Sequence, residues 1–201
     1  MASSVKKKDI TELREAGYLA KEIAHRLPAK GQIVPTPEPH ERVVFLTHFV
    51  RGLGFPLHPF VRGLMFYYGL DFHDLAPNFI LNISAFIIVC EAFLRIPPHF
   101  GLWLKTFNVK PKVVGGQQAK CGGAMVGKMP NITWLEGSFV ETVKGWQSGW
   151  FYITNRAIPT GRRPPNSDAA HLLAREGPDL GIFERADWAP DVRPEHDNQE
   201  D

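Results

Sequence analysis

Apolar positions along this chain change character three times. Ile10, Leu13, Ile23 and Leu27 are sparse and spaced for one helical face, interrupted or bent near Gly17, and Asp9-x-x-Glu12 predicts a capping box at its start. Residues 28–40 lose the periodicity and carry four prolines, which predicts an extended connector. From Glu41 a stripe returns at Val43, Leu46, Val50 and Leu53; a helix is predicted, although its β-branched start also allows a strand. Pro59 suits the first turn of the next helix, with Phe60, Val61, Leu64, Met65 and Tyr68 on its apolar face. Gly69-Leu70 predicts a left-handed cap with its hydrophobic follower. Pro77-Asn78 opens a central helix that ends before Pro97, and Pro98 begins a short one containing Leu102, Trp103 and Phe107.

Beyond Lys110 glycines cluster at 115–116, 122–123 and 127, and β-prone pieces fall at 122–129, 131–135 and 150–154. Trp150-Phe151-Tyr152-Ile153 is the clearest strand. From Pro159 the chain is rich in Pro, Asp, Glu and Arg, predicting a disordered tail with one short helix at 168–175. The expected fold class is α+β: a mainly helical domain with a small antiparallel sheet in its C-terminal part. Residues 1–8 form a basic extension, 9–157 the domain, and 158–201 the acidic, Pro-rich tail.

A chain of 201 residues with 44% hydrophobic and 22% charged residues can bury one real core without metal or disulfide staples. Two cysteines, Cys90 and Cys121, are too few for a disulfide framework, and Cys90 in the most apolar segment reads as a buried thiol. The start MASSVKKKD lacks the apolar stretch of a secretory signal, so an intracellular, non-secreted protein is expected. Lys6-Lys7-Lys8 is a weak nuclear signal and reads first as a solvated terminus. Residues 79–94 are shorter than the ~20 apolar residues a membrane span needs and contain Asn82, Ser84 and Glu91, so a buried core helix is expected. The net charge of +2 divides into +7 over residues 1–157 and −5 over the rest. A mildly basic body permits phosphate contacts without requiring them.

Candidate chemistry is thin. At about 100° per residue, Ser84, Glu91 and Arg95 share one helical face, which predicts a narrow polar seam satisfying a buried carboxylate. A general acid or base with a raised pKa is the alternative, but no nucleophile or second acid is placed beside Glu91. Asp71 and Asp74 flank His73 and could seed a two-metal site, yet acids before a helix usually cap and turn the chain. The eight histidines show no HxxxH or HExxH spacing, and GGQQAKCGGAMVG lacks the GK[ST] of a phosphate loop. Trp134, Trp146, Trp150, Phe151, Tyr152, Lys144 and Arg156 could form a stacking platform for single strands, though such residues in and around a strand more often make a core. No catalytic, cofactor-binding or metal-binding residue, no cofactor and no small-molecule ligand is expected.

The block VVFLTHFVRGLGFPLHPFVRGLMFYYGLDFHDLAPNFILNISAFIIVCEAFLRIPPHFGLWLKTFNVK, followed by VKGWQSGWFYITN, resembles the plant family known as putative gypsy-type transposon, or transposase (putative) gypsy type. The likeness rests on paired aromatic-Arg-Gly elements near 49–52 and 60–63, then FYYGL, LxPN, CEAFL, IPPHFxLW and GWxxxWFYI, in that order over residues 10–156. It implies a retroelement-associated protein and carries no catalytic residue across. No protease D-[ST]-G, reverse-transcriptase YxDD, integrase HHCC or CCHC knuckle occurs in the chain. Family members continue into longer helix-rich regions where this sequence has an acidic tail, so a truncated element is an expectation.

The expectation is therefore a retroelement-derived domain that mediates assembly or partner binding without catalysis. A nucleic-acid-binding module is one alternative, and a carboxylate- and metal-dependent transposase-like enzyme is another. Self-association or nucleic acid is the expected partner, with no role for a membrane.

Overall fold

The computed structural model describes residues 2–135 and 143–154. Helix α1 (Lys7–Glu15) is followed by a two-residue strand β1 (His25–Arg26), strand β2 (Glu41–Phe45) and helix α2 (Leu46–Val50). Helix α3 (Pro59–Tyr68), a 3₁₀ turn (Phe72–Asp74) and helix α4 (Pro77–Ile88) come next. A π-helical turn (Val89–Leu94) prolongs α4 and leads to α5 (Phe100–Thr106). Strands β3 (Phe107–Pro111), β4 (Val113–Val114), β5 (Gln117–Gln118) and β6 (Ala124–Lys128) follow, and β7 (Trp150–Thr154) closes the described chain. The protein is α+β, with small antiparallel sheets among its helices.

Strand β7 is the centre of the main sheet, ordered β1-β7-β2 and antiparallel throughout. Both its faces are covered, which is why it reads as a continuous apolar run rather than an alternation. Phe151 and Ile153 enter the main core, while Trp150 and Tyr152 join Phe45 in a second cluster. The Tyr152 hydroxyl accepts from the Thr36 backbone N–H at 2.8 Å, tying the proline-rich connector to the sheet. Arg26 lies 3.9 Å above the Tyr152 ring and bonds the Glu41 carboxylate through Nε at 2.8 Å. This Arg26 contact holds the Glu41 carboxyl below the usual carboxylate range.

The second packing centre is aromatic. Fully buried Trp103 meets Phe107 at 4.4 Å, Phe86 at 5.3 Å and Phe60 at 6.0 Å between ring centroids. Helices α3, α4 and α5 thus share one core under the three aromatic-rich segments, and Cys90 is buried beside it.

Single-residue backbone constraints formed as expected. Pro59 and Pro77 occupy the first turns of α3 and α4, and Gly69 ends α3 in the left-handed region with φ 61°. Leu70 N–H then donates to Met65 O at 2.8 Å. Other expectations are corrected. The first helix stops at Glu15 and turns at Gly17 (φ 79°), so Ile23 and Leu27 lie outside it. Its cap is Lys6, whose N–H donates to Asp9 Oδ2 at 2.7 Å, which puts Asp9 inside the first turn. Residues 41–53 form β2 and then α2, because Val43 and Val44 find ladder partners at Tyr152 and Phe151, and Val50 is left 76% exposed. Phe107 begins strand β3 rather than ending a helix, and residues 131–135 form no strand. The main sheet also draws two of its three strands from the N-terminal half. The helix expected at 168–175 lies outside the described residues.

Candidate functional site

Asp71 and Asp74 are spent on local structure. Asp71 Oδ1 accepts from the Phe72 N–H at 2.6 Å, and Asp74 Oδ2 accepts from the Asp71 N–H at 2.9 Å, so the pair forms a capping box at the start of the 3₁₀ turn. Arg42 Nε stands 3.9 Å from Asp71 Oδ2, and His73 Nε2 is 3.4 Å from Asp74 Oδ1. Cys121 lies close by, its thiol pushed up to about 11 by burial and by the Asp74 charge, which removes its nucleophilic character. Among the described residues no group of three or more His, Cys, Asp or Glu side chains could hold a metal ion.

The polar seam expected within α4 does not form. The π-helical turn begins at Val89, so Glu91 leaves the rotation that would hold it over Ser84. Arg95 then exits in the left-handed region, with φ 58°. Glu91 is half-exposed and its Oε1 meets His58 Nε2 at 3.1 Å. Ser84 faces Gly52 instead, in a groove of about 180 Å³ lined by Leu53, Leu57, His58, Ile80, Ile83 and Ile87 among others. A Cβ on Gly52 would stand 2.6 Å from Ser84 Oγ, so only glycine lets the 52–58 loop approach α4 this closely.

The groove opens beside an apolar strip. Ile88 is 54% exposed, Phe93 75%, Leu94 54% and Ile96 42%, all within nine residues. The opposite side of the same helical run is core: Phe79, Ile80, Ile83, Phe86 and Cys90 are buried. Pro77–Leu94, at 18 residues and a mean hydropathy of 1.7, is long and apolar enough to cross a membrane by length and composition alone. One third of it is buried within the fold, and its inner face is wedged against Phe60, Trp103 and Phe107. It is thus a core helix on one side, as expected, and bare on the other.

The aromatic residues considered for stacking are mostly interior. Trp150, Phe151 and Tyr152 are buried, and Trp134 packs against Phe107 at 4.9 Å. Trp146 sits edge-on to Phe45 at 4.8 Å. Lys144 is exposed, and Arg156 lies outside the described residues. These side chains build core and sheet edge rather than a platform.

One ionisable residue was not singled out by its sequence context. His48 is fully buried between Phe45 and Trp146, and its Nε2–H donates to Leu75 O at 2.9 Å. Burial pushes its pKa down to about 4, so the ring is neutral in the fold. Its only signal was a lone histidine within VVFLTHFV, a pattern that also fits an exposed position.

Residues 43–111, from within β2 to the end of β3, match the family described as "Putative gypsy type transposon". That span holds α2, α3, the paired-aspartate turn, α4, the apolar strip and α5. No curated protein and no solved structure matches the chain.

Proposed function

We propose that this transposon-related chain, which carries the gypsy-type family segment at residues 43–111, is a non-catalytic self-association module. The observation that supports the reading is the exposed strip Ile88, Phe93, Leu94 and Ile96 beside the α4 groove. Exposed apolar side chains clustered in this way gain free energy when covered by a matching surface. Its occupant is a second copy of the same chain.

Charge supports that choice of occupant. The strip carries one acid, Glu91, and one base, Arg95, and the two do not pair with each other. Arg95 has no ion-pair partner among the described residues. A two-fold axis exchanges opposite positions, so two strips laid antiparallel bring Glu91 of each copy towards Arg95 of the other. The apolar residues between them form the centre and the charges the rim.

Sedimentation of the full chain over a range of concentrations tests this reading. Mass rising to twice that of the monomer, with Phe93→Glu remaining monomeric, is the expected outcome. A wild-type chain that stays monomeric throughout, or that associates only when lipid vesicles are added, contradicts it.

A further inference from the structure

The geometry points to the β3–β6 hairpin as a lysine arm that lies along a nucleic-acid duplex, a role separate from self-association and not dependent on it. Strands β3 and β6 pair from Phe107↔Lys128 to Pro111↔Ala124, and β4 and β5 carry the ribbon outward to a Gly115-Gly116 tip. Both tip glycines have positive φ, 60° and 80°, as a two-residue hairpin turn of matching twist requires. Lys110, Lys112 and Lys120 are exposed on this arm, with Lys128 at its base.

The charge is concentrated. No aspartate or glutamate occurs between Glu91 and Glu136, whereas Arg95, Lys105, Lys110, Lys112, Lys120 and Lys128 do. These six cations nearly equal the +7 excess of residues 1–157, so the remainder of the domain is close to neutral. Asp74 acts on Cys121, midway along the arm, and is occupied there by the 3₁₀ turn and His73, while Asp71 is occupied by the same turn and Arg42. Lys110, Lys112 and Lys120 have no acidic partner among the described residues. Unpaired ammonium groups on a narrow support are what phosphate binding uses.

Shape selects the duplex. Two paired strands stand about 4.8 Å apart, and such a ribbon fits a B-form major groove about 12 Å wide. The tip exposes Val113 and Val114 and no large aromatic, which disfavours stacking on single strands and insertion into lipid. Lysines of this kind position a protein on the backbone without reading sequence.

The test is fluorescence anisotropy of a labelled DNA duplex titrated with the full chain at several salt concentrations. K110A/K112A/K120A is expected to reduce the slope of log affinity against log salt by about 2.7, or about 0.9 for each phosphate that a lysine no longer neutralises. K6A/K7A/K8A is expected to leave that share in place. Circular dichroism confirms that each variant is folded. Absence of duplex binding by the wild type, an unchanged slope in the hairpin variant, or binding confined to single strands or anionic vesicles would overturn the assignment.

Discussion

His58 joins the first turn of α3 to Glu91 on the π-helical turn. Its Nδ1 accepts from the Phe60 N–H at 3.1 Å, which assigns the proton to Nε2, and Nε2–H donates to Glu91 Oε1 at 3.1 Å. One neutral imidazole therefore serves as helix cap and cross-link at the side of the groove.

The two bonds differ in worth. His58→Ala is expected to destabilise the protein by about 1 kcal/mol, the usual loss for a side-chain cap. Glu91→Gln is expected to change stability by less than about 0.5 kcal/mol, because the pair is half-exposed and solvent screens it. Urea denaturation of both variants and of the double variant checks the ranking; equal losses would show that the cross-link, not the cap, carries the energy.

Gly52 sets how closely the loop approaches α4. It has φ 99°, and an added Cβ would meet Ser84 Oγ at 2.6 Å and Ser84 Cβ at 2.8 Å. Gly52→Ala is expected to cost about 2–3 kcal/mol from combined backbone strain and overpacking. Ser84→Gly removes the collision but not the strain, so the double variant should recover part of the loss, non-additively. Ser84→Ala should recover little, since its Cβ remains. Additive losses in G52A/S84G would place the whole penalty in the backbone.

Stability should fall in mild acid because of His48. Its folded pKa is about 4 against an ordinary 6.5, so the neutral ring is favoured in the fold and the unfolded chain takes up the proton first. Stability is full above about pH 6.5, declines between there and pH 4 by about 3 kcal/mol, and is flat below as far as this group is concerned. Glu41, held low by Arg26, acts in the same direction at more acidic pH. His48→Gln, which retains a donor for Leu75 O but does not titrate, is expected to flatten the pH 4–6.5 limb of the unfolding curve. An unchanged limb would assign it to other groups.

Legibility in the sequence followed the range of the interaction. Pro59, Gly69 and Pro77 could be read because each constrains its own backbone, whatever lies elsewhere. Strand β2 was legible only as the alternative its β-branched start allowed, because Val43 and Val44 take up extended structure by pairing with Tyr152 and Phe151, more than 100 residues away. The π-helical turn escaped for a different reason. A 3.6-residue period placed Glu91 over Ser84, and the extra residue in the turn redirected it to His58. The apolar character of 79–94 was plain, but which side stayed bare depended on Phe60, Trp103 and Phe107 filling the other. The concentration of lysines in the hairpin needed both the acid-free interval and the strand register to become visible.

The most direct test of self-association through the α4 strip is a charge-swap mixing experiment read by mass in solution. E91R and R95E each place like charges opposite one another in an antiparallel pair, so each alone should be monomeric. Mixed in equal amounts, the two variants should form a heterodimer of twice the monomer mass, since both opposed positions regain opposite charges. Monomers in the mixture, or dimers of either variant alone with the stability of the wild type, would contradict the account.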